Sequence, residues 1–566
     1  MRSTDFAPRR APRSTSPGRY FTVAILAAWM ATTGGMKAQE QEREFVTPAP
    51  DRGALDGQGP YDRLILRGVT VIDGTGAPPR GPIDVVIEGN RIVRLSGVGV
   101  PNVEIDEERR PELLIEGQPD ANVHEIDATG MYVLPGFVDL HLHTGGLPKV
   151  PEAEYVYKLW MAHGITTGRG VNFGPVDWSL SEKERSANNE IVAPRLFSYH
   201  WPGQTGENDE PMRIDTPEQA REWVRYIKAK GADGLKLTSY RPAIMEALID
   251  EATQLGLGTT AHLAQTGVAQ MNAIDAVRLG LGTVTHFYGL FESLYKDNDV
   301  QPWPDAMNYN DEQRRFTQVA RQWNLIHDRG SPEWKAFLEE LLEHDVTLDP
   351  TMTAYQAGWD VEAQRQAFWN QEYVLPSLLD YYRASRTNHA SYYYDWTTAD
   401  EVAWKNFLRV WQQLVNDYKN MGGRVTISSD AGFNYNTFGF STVQEMELFQ
   451  QAGFHPLEVI RSATMHAAET LFKPTGQPIQ FGVVRPGLLA DLVVVEENPL
   501  HNLKVLYGTG HVRLNDETGQ PSRVGGIKYT IKDGIVYDAK QLLEDVRRMV
   551  ERQKQERATA QEGTDS

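Results

Sequence analysis

The stretch that decides the fold of this chain reads Val133-Leu-Pro-Gly-Phe-Val-Asp-Leu-His-Leu-His143. Up to Leu140 it is apolar apart from Asp139, which is typical of a strand that is buried on both faces. Residues two apart on a strand point to the same side, so His141 and His143 can face one metal ion. A His-x-His pair is a weak signal by itself, because polar residues also end strands without binding a ligand.

Downstream of this strand, short strand-like segments alternate with helix-like segments. The patterns predict helices over 153–162, 217–230, 242–255 and 268–279, and strands over 234–237, 259–263, 283–287 and 424–430. This alternation predicts βαβ units and a parallel sheet. Because the unit repeats so often, we expect a closed (β/α)8 TIM barrel over about 135–475, which makes the fold class α/β.

Two β-rich segments bracket the barrel region. Residues 61–134 contain alternating apolar patterns, and residues 476–540 contain a second hairpin whose turn is Asp533-Gly534. We expect both segments to form one small β-sandwich domain, composed from the two chain ends. Residues 541–566 are predicted to be a C-terminal helix and tail, since apolar residues recur there at helical spacing.

The regular spacing breaks between His286 and Asp430, which lie 144 residues apart. We predict a helical insertion over about 290–420 at one end of the barrel. Aromatic residues are frequent in it, among them Trp303, Trp323, Trp334, Trp359, Trp369, Trp396 and Trp404. They could line a substrate cleft, and a plain helical core would explain them equally well.

The first 38 residues have the pattern of a secretory signal peptide. Five arginines precede the apolar run Tyr20–Ala31, the small residues Thr32–Gly35 follow it, and cleavage is expected after Ala38. This order predicts a periplasmic or secreted protein with a flexible linker over 39–60; the alternative is an uncleaved N-terminal anchor. After removal of the signal peptide we expect no membrane association.

Charge and cysteine content narrow the function classes further. The formal net charge of −20 disfavours nucleic acid as a partner, because an acidic surface repels phosphate backbones. The chain has no cysteine, so any metal must be held by His, Asp, Glu or a less usual ligand. Whether the protein forms a homo-oligomer stays open.

Four further residues strengthen the metal hypothesis. His262 and His286 each end a short strand, and they are one strand–helix repeat apart. Asp430 ends the segment Arg424-Val-Thr-Ile-Ser-Ser-Asp430, and active sites of these barrels gather at the C-terminal ends of the strands. Lys236 lies inside the apolar strand Gly234–Leu237, where an unpaired lysine is costly to bury; an ion-paired or snorkelling lysine is the alternative.

Taken together, these motifs resemble those of the amidohydrolase superfamily, most of all its imidazolonepropionase and metal-dependent prolidase branch. The segments that carry the resemblance are Pro135–His143, His163–Thr167, Gly231–Lys236, His262, His286, Ser429-Asp430, Pro456–Ala468 and Gly482–Asp491. The resemblance covers roughly residues 62–540 apart from the predicted insertion.

The resemblance implies a site with two divalent metal ions. His141, His143 and Asp430 would bind one ion, and His262 and His286 would bind the other. Lys236 would be carboxylated by CO2 and would bridge the two ions. Nitrogen and oxygen ligands of this kind suit Zn2+, which we expect, and also Mn2+ or Co2+.

The implied activity is hydrolysis of a C–N amide or peptide bond by metal-activated water, with Asp430 as the catalytic residue that moves the proton. Dipeptides and N-acyl amino acids are the expected small-molecule substrates. The alternatives are a cyclic amide or lactone hydrolase with the same site, and a catalytically silent ligand-binding barrel.

One segment departs from the prolidase pattern, in which Ala-Tyr follows the histidine of the fifth strand and the tyrosine helps bind substrate. Here the run is His262-Leu-Ala-Gln265. A separate candidate is Tyr240, four residues after Lys236, which could reach a substrate from a barrel loop; core packing is the favoured alternative.

Overall fold

The computed structural model describes residues 45–389 and 391–564 of the chain, so the predicted signal peptide lies outside the described residues. The strands are β1 (Arg63–Val71), β2 (Arg80–Glu88), β3 (Arg91–Gly97), β4 (Val123–Asp127), β5 (Tyr132–Pro135), β6 (Phe137–Leu142), β7 (Ile165–Val171), β8 (Arg195–His200), β9 (Gly234–Leu237), β10 (Gly258–Ala261), β11 (Thr283–Thr285), β12 (Thr347–Asp349), β13 (Arg424–Val425), β14 (Leu492–Val495), β15 (His511–Asn515), β16 (Gln520–Val524), β17 (Ile527–Lys532) and β18 (Ile535–Asp538).

The helices follow the same chain order. They are α1 (Ala153–Ala162), α2 (Val176–Ala187), α3 (Pro217–Lys230), α4 (Pro242–Gln254), α5 (Ala273–Arg278), α6 (Glu312–Val319), α7 (Pro332–Glu343), α8 (Ala357–Arg365), α9 (Trp369–Glu372), α10 (Pro376–Tyr382), α11 (Thr398–Asn420), α12 (Phe440–Ala452), α13 (Pro456–Ala463), α14 (Met465–Phe472) and α15 (Ala539–Thr564).

Strands β6 to β13 form an eight-stranded parallel sheet in which every strand pairs with its neighbour in the sequence. Its two edges are joined by backbone hydrogen bonds: Leu140 N donates to Ile427 O (3.4 Å) and Asp430 N donates to His141 O (3.0 Å). The sheet therefore closes into the (β/α)8 barrel that the alternating pattern predicts. The last strand is shorter than expected, since pairing with β12 ends at Val425.

Helix boundaries follow the local capping signals closely. The helix α3 spans the predicted residues because Thr216 and Gln219 form a capping box and Gly231 ends the helix in the left-handed conformation (φ 107°). The helix α5 begins at Ala273 rather than at the predicted residue 268. Its start is set by Asn272, whose side chain accepts from Asp275 N.

The segment 290–420, expected as one insertion, is interrupted by regular barrel elements. Strand β12 lies in the middle of the barrel sheet between β11 and β13, and the helices α7 and α11 connect barrel strands. The excess length is thus divided between the loop after β11 and the loop after β12. Strand β12 has only three residues and was not recognised in the sequence, so this stretch was expected to be one long insertion.

Strands from both chain ends form one eight-stranded sheet in the order β18-β17-β14-β5-β1-β2-β3, with β4 beside β1. The sheet returns to itself, because Ile92 N donates to Leu488 O (3.0 Å) and Gly487 N donates to Ile92 O (2.8 Å). Its enclosed apolar core includes Val85 and Val494. The hairpin β15–β16 forms a separate two-stranded sheet.

The junction between barrel and small sheet contains a buried cluster of four charged side chains. Arg195 pairs with Asp491 and, at 2.6 Å, with Asp533, while Asp533 N donates to Asp491 Oδ1 (2.9 Å). Lys532 Nζ donates to Asp533 Oδ2 (3.2 Å), to Ser186 O (2.9 Å) and to an asparagine side chain. We name these four residues, Arg195, Asp491, Lys532 and Asp533, the junction cluster.

The predicted flexible linker 39–60 needs a correction in its described part, because residues 45–60 pack on the folded body. Val46 and Ala49 are buried, Thr47 N donates to Pro151 O (2.8 Å), and Gln58 and Val536 exchange backbone hydrogen bonds of 2.9 Å. Apolar residues within the polar run thus anchor it. In the described part of the chain, every helix is too short or too polar to cross a membrane.

Candidate active site

The structure brings the six residues singled out by the sequence to the C-terminal end of the barrel. His141 and His143 come from the end of β6, Lys236 from β9, and His262, His286 and Asp430 from positions that follow β10, β11 and β13. All of them except His286 line one cavity of about 780 Å³. The ring of His286 contacts that of His262, with centroids 4.6 Å apart.

Asp430 is the carboxylate around which the imidazoles gather. Its Oδ1 lies 3.1 Å from His143 Nε2 and 3.6 Å from His141 Nε2, and its Oδ2 lies 3.8 Å from His286 Nε2. Lys236 Nζ lies 3.2 Å from His141 Nε2. The arrangement therefore places nitrogen and oxygen donors from four different strands within contact distance of one another.

The donor set fits a divalent cation. Ligand atoms of His141, His286 and Asp430 all lie within 4.8 Å of one another. His141 Nδ1 and His286 Nε2 are buried and have no hydrogen-bond partner, although buried polar atoms are normally satisfied. Burial lowers the pKa of both histidines, with Lys236 adding to the effect, so their imidazoles are neutral, which is the form that binds metals.

Lys236 is the buried cation of the cluster, with a relative exposure of 1%. Burial lowers the pKa of Lys236 to about 7, and the opposing attraction of Asp430 is too small to restore its usual value. Much of this amine is therefore unprotonated at neutral pH. An unprotonated amine is a nucleophile, whereas an ammonium group is not.

The loop after β12 fixes the orientation of His286. Thr351 Oγ1 donates to Pro350 O (2.6 Å) and therefore accepts the 2.5 Å hydrogen bond from His286 Nδ1. That places the imidazole proton on Nδ1 and leaves the lone pair of Nε2 directed at Asp430, which is the arrangement expected around a metal ligand. Glu445 supports the same loop by accepting from Met352 N (2.9 Å) and Thr353 N (2.8 Å).

Asp139, the one polar residue of the apolar strand β6, joins the two segments that carry His141 and Asp430. Its Oδ1 accepts from His141 N (3.0 Å) and Ser429 N (3.1 Å), and its Oδ2 accepts from Thr442 Oγ1 (2.8 Å). Burial raises the pKa of Asp139 to about 6 despite these hydrogen bonds. Asp139 thus holds the cluster in place without lining the cavity.

Beneath the cluster, the sequence interpretation missed a buried ion pair between Arg169 and Asp349. Arg169 donates to Asp349 Oδ2 (2.9 Å) and to Leu140 O (2.7 Å), and the same carboxylate oxygen lies 3.8 Å from His141 Nδ1. A signal for Arg169 was available, because it stands in the fully buried strand β7 just as Lys236 stands in β9. Asp349 was hidden inside the stretch interpreted as an insertion.

Backbone strain concentrates at the same end of the barrel. His286 (φ 66°), Asp430 (φ 49°), Thr351 (φ 53°) and Ala264 (φ 59°) all occupy the left-handed region, which non-glycine residues seldom adopt. Such conformations persist where the surrounding structure enforces them, and they cluster at functional sites. His286 directly follows β11, Thr351 lies two residues after β12, and Asp430 lies five residues after β13.

The substrate-binding role predicted for Tyr240 is not supported by its position. Tyr240 is half-buried against the main apolar core and is not among the residues that line the cavity, so packing explains it. Tyr288 takes a place that the sequence did not indicate: its ring lies 4.6 Å from that of His262, and its hydroxyl accepts from Tyr355 Oη (2.9 Å). Aromatic residues of the two long loops complete the wall, among them Tyr309, Phe316, Tyr355 and Tyr392.

Fold and site together define a barrel protein whose clustered histidines, lysine and aspartate are suited to divalent cations. The model of the amidohydrolase family matches residues 132–536, and the chain therefore belongs to that family.

Individual relatives are more distant. N-acyl-D-aspartate deacylase of Alcaligenes xylosoxydans xylosoxydans is 28% identical over 212 residues, which is 36% of this chain and only 37% of that protein. The chain also superimposes on bottromycin amidohydrolase (TM-score 0.56, 17% identity, 87% of this chain and 90% of that one). A Xaa-Pro dipeptidase with methionine in its active site gives a TM-score of 0.53 at 18% identity, covering 84% of this chain and 100% of that one. These structural likenesses describe the fold.

Proposed function

We propose that this protein is an exported hydrolase that uses two divalent metal ions to cleave the amide bond of a dipeptide or an N-acyl amino acid. The observation that carries the proposal is the convergence of His141, His286 and Asp430, whose ligand atoms lie within 4.8 Å of one another. His141, Asp430 and Lys236 line the adjoining cavity. The periplasmic or extracellular location rests on the basic and apolar pattern of residues 1–38 alone.

Each predicted ligand has a role in this proposal. His141, His143 and Asp430 would hold one ion, His262 and His286 the other, and carboxylated Lys236 would bridge them. When bound, the ions supply an acidified water and polarise the scissile carbonyl. The lowered pKa of Lys236 supports its carboxylation, since the unprotonated amine is the form that reacts with CO2. As a carbamate, Lys236 offers two oxygens and a negative charge.

The protein's own residues would move the proton and orient the substrate. Asp430 accepts the proton of the attacking water on a carboxylate oxygen and later delivers it to the leaving nitrogen, because an amine is a poor leaving group until it is protonated. Asp139 and Asn436 keep the Asp430 segment in position: Asn436 Nδ2 donates to Asp430 O (3.1 Å). Tyr355 and other aromatic side chains form a wall of the same cavity.

The substrate class is supported by the cavity and by the relatives. A volume of about 780 Å³ suits a small molecule such as a dipeptide. The names of the deacylase, the dipeptidase and the bottromycin amidohydrolase all describe cleavage of amide or peptide bonds in those proteins. We extend that chemistry to this chain as part of the proposal.

The test is a hydrolysis screen with the purified, metal-loaded protein. Dipeptides, N-acyl amino acids and lactones are offered in parallel, and Asp430→Asn serves as the control variant because it keeps the shape of the side chain and removes its basicity. We expect turnover of at least one dipeptide or N-acyl amino acid that disappears in Asp430→Asn. Turnover of lactones alone, or no turnover by fully metallated protein, would refute the proposed amide hydrolysis.

A further inference from the structure

Lys149 is a cation of the cavity for which the described residues provide no carboxylate partner. It lines the same cavity as His143 and Asp430. Its Nζ lies over two aromatic rings, 4.5 Å from the centroid of Tyr381 and 5.1 Å from that of Phe433. Aromatic faces stabilise an ammonium group only in part, so a half-buried charge of this kind retains a strong preference for an anion.

The other basic groups at this end of the cavity are already compensated. Arg315 lies 3.6 Å from Glu312 and also donates to the backbone oxygen of Tyr309. His389 Nδ1 contacts the same Glu312 at 2.5 Å. Lys149 therefore differs from Arg315 and His389, because its charge faces the cavity and is not paired with a carboxylate of the described residues.

The backbone around Lys149 is built to hold the residue in place. Gly145 (φ 89°) and Gly146 (φ 75°) form the turn after His143, and Lys149 N donates to Gly146 O (3.0 Å). Ser377 Oγ donates to Lys149 O (2.7 Å), which ties this turn to the start of α10. A turn whose backbone is already fixed does not have to be ordered when a ligand binds to its side chain.

The Lys149 ammonium is close to the reacting groups. The ring of Phe433 that faces Lys149 also contacts the His143 ring edge-on, with centroids 5.8 Å apart. In an N-acyl amino acid or a dipeptide, the carboxylate is separated from the scissile amide nitrogen by a single carbon atom. A carboxylate held at Lys149 would thus place that amide near the histidine cluster. Partial burial lowers the pKa of Lys149 to about 8, against the attraction of Asp430, and a bound carboxylate would restore the charge.

We infer that Lys149 binds the carboxylate on the leaving-group side of the substrate and so selects acylated amino acids and peptides with a free C-terminus. The inference rests on the proposed amide hydrolysis. It makes Lys149 a specificity-determining residue, distinct from the groups that cleave the bond.

The kinetic test compares each N-acetyl amino acid or dipeptide with its C-terminal carboxamide, in the full chain and in Lys149→Met. We expect wild-type kcat/KM to favour the free acid by on the order of 100-fold, as for other desolvated charge pairs. Lys149→Met should lose that preference while cleaving the carboxamide as wild type does, and Lys149→Arg should recover part of it. Equal use of acid and carboxamide by the wild type overturns the inference and leaves amide hydrolysis standing.

A binding experiment separates this inference from the proposed function. Calorimetry with Asp430→Asn, which should bind without turning over, compares N-acetyl amino acids with their carboxamides. We expect the acid to bind more tightly than the carboxamide, and we expect the Lys149→Met/Asp430→Asn double variant to lose this difference. The control is the Lys335→Met/Asp430→Asn double variant, which should keep the difference because Lys335 is an exposed lysine on α7. Equal binding of acid and carboxamide overturns the carboxylate role, even if amides are hydrolysed. Preferential binding of the acid supports the carboxylate role of Lys149, even if no amide is hydrolysed.

Discussion

Two buried polar clusters of this molecule look alike in composition and differ in how complete they are. In the junction cluster, both oxygens of Asp491 and of Asp533 have donors, and Lys532 Nζ has three acceptors. In the active-site cluster, His141 Nδ1, His286 Nε2 and Asp349 Oδ1 are buried without any hydrogen-bond partner. The side chains of the junction cluster therefore have hydrogen-bond partners within the protein, whereas several atoms of the active-site cluster have none.

The number of unpartnered buried atoms distinguishes a structural cluster from a candidate functional one. Buried polar groups that satisfy one another hold two elements together, here the barrel and the small sheet. Buried groups left unsatisfied cost free energy, and a group of them beside one cavity is a candidate ligand site. Neutral imidazoles around an aspartate and a lysine are suited to a cation rather than to another donor.

The largest effect on catalysis is expected from a substitution in the active-site cluster. Lys236→Ala should lower kcat/KM for any amide substrate on the order of 10⁴-fold, because it removes the proposed bridging anion between the two proposed ions. The free energy of unfolding should change little relative to that of Lys335→Ala. Steady-state kinetics and chemical denaturation of the two variants measure this, and normal turnover in Lys236→Ala would falsify the bridging role.

The second prediction breaks the complete cluster instead. Arg195→Met leaves two buried carboxylates without their shared cation and should lower the free energy of unfolding by about 3–5 kcal/mol. Urea denaturation measures this loss, and kcat/KM of the folded fraction should stay near the wild-type value. A large loss of activity at unchanged stability would mean that the junction cluster is part of the catalytic machinery.

A smaller effect on metal affinity is expected when a single hydroxyl group beside His286 is removed. Thr351→Val removes the acceptor of His286 Nδ1 while keeping the branched shape, and should weaken metal binding about 10- to 100-fold. Thr530→Val is the matched control, since it removes a buried threonine hydrogen bond to Met161 O (2.6 Å). Competition with a chelator measures both affinities; equal values for the two variants would contradict an orienting role for Thr351.

Much of the fold could be predicted because its signals are local. Thr216, Pro217 and Gly231 are capping signals that mark the start and end of α3. The barrel follows from repeated strand–helix units of similar length. The short strand β12 lacked such a signal, since only the tertiary pairing with β11 and β13 defines it. The end of β13 was also misjudged, because its pairing with β12 stops at Val425, five residues before Asp430.

The candidate site shows the same division. Residues that end a recognisable strand, such as His262 and His286, could be proposed from the sequence, and the structure brings them together; their role as ligands stays a prediction. Lys149 and Thr351 could not be proposed, because what distinguishes them is a distant partner or the lack of one. Tyr288 was missed for a related reason, since its contact with Tyr355 joins two separate loops.

The proposed function requires that two divalent metal ions complete the active-site cluster. The most direct measurement is elemental analysis by mass spectrometry of the purified protein after loading with Zn2+ and removal of excess metal. We predict about two ions per chain in the wild type and in Arg195→Met, and fewer in Lys236→Ala. A wild-type protein that retains no ion after loading would contradict the claim.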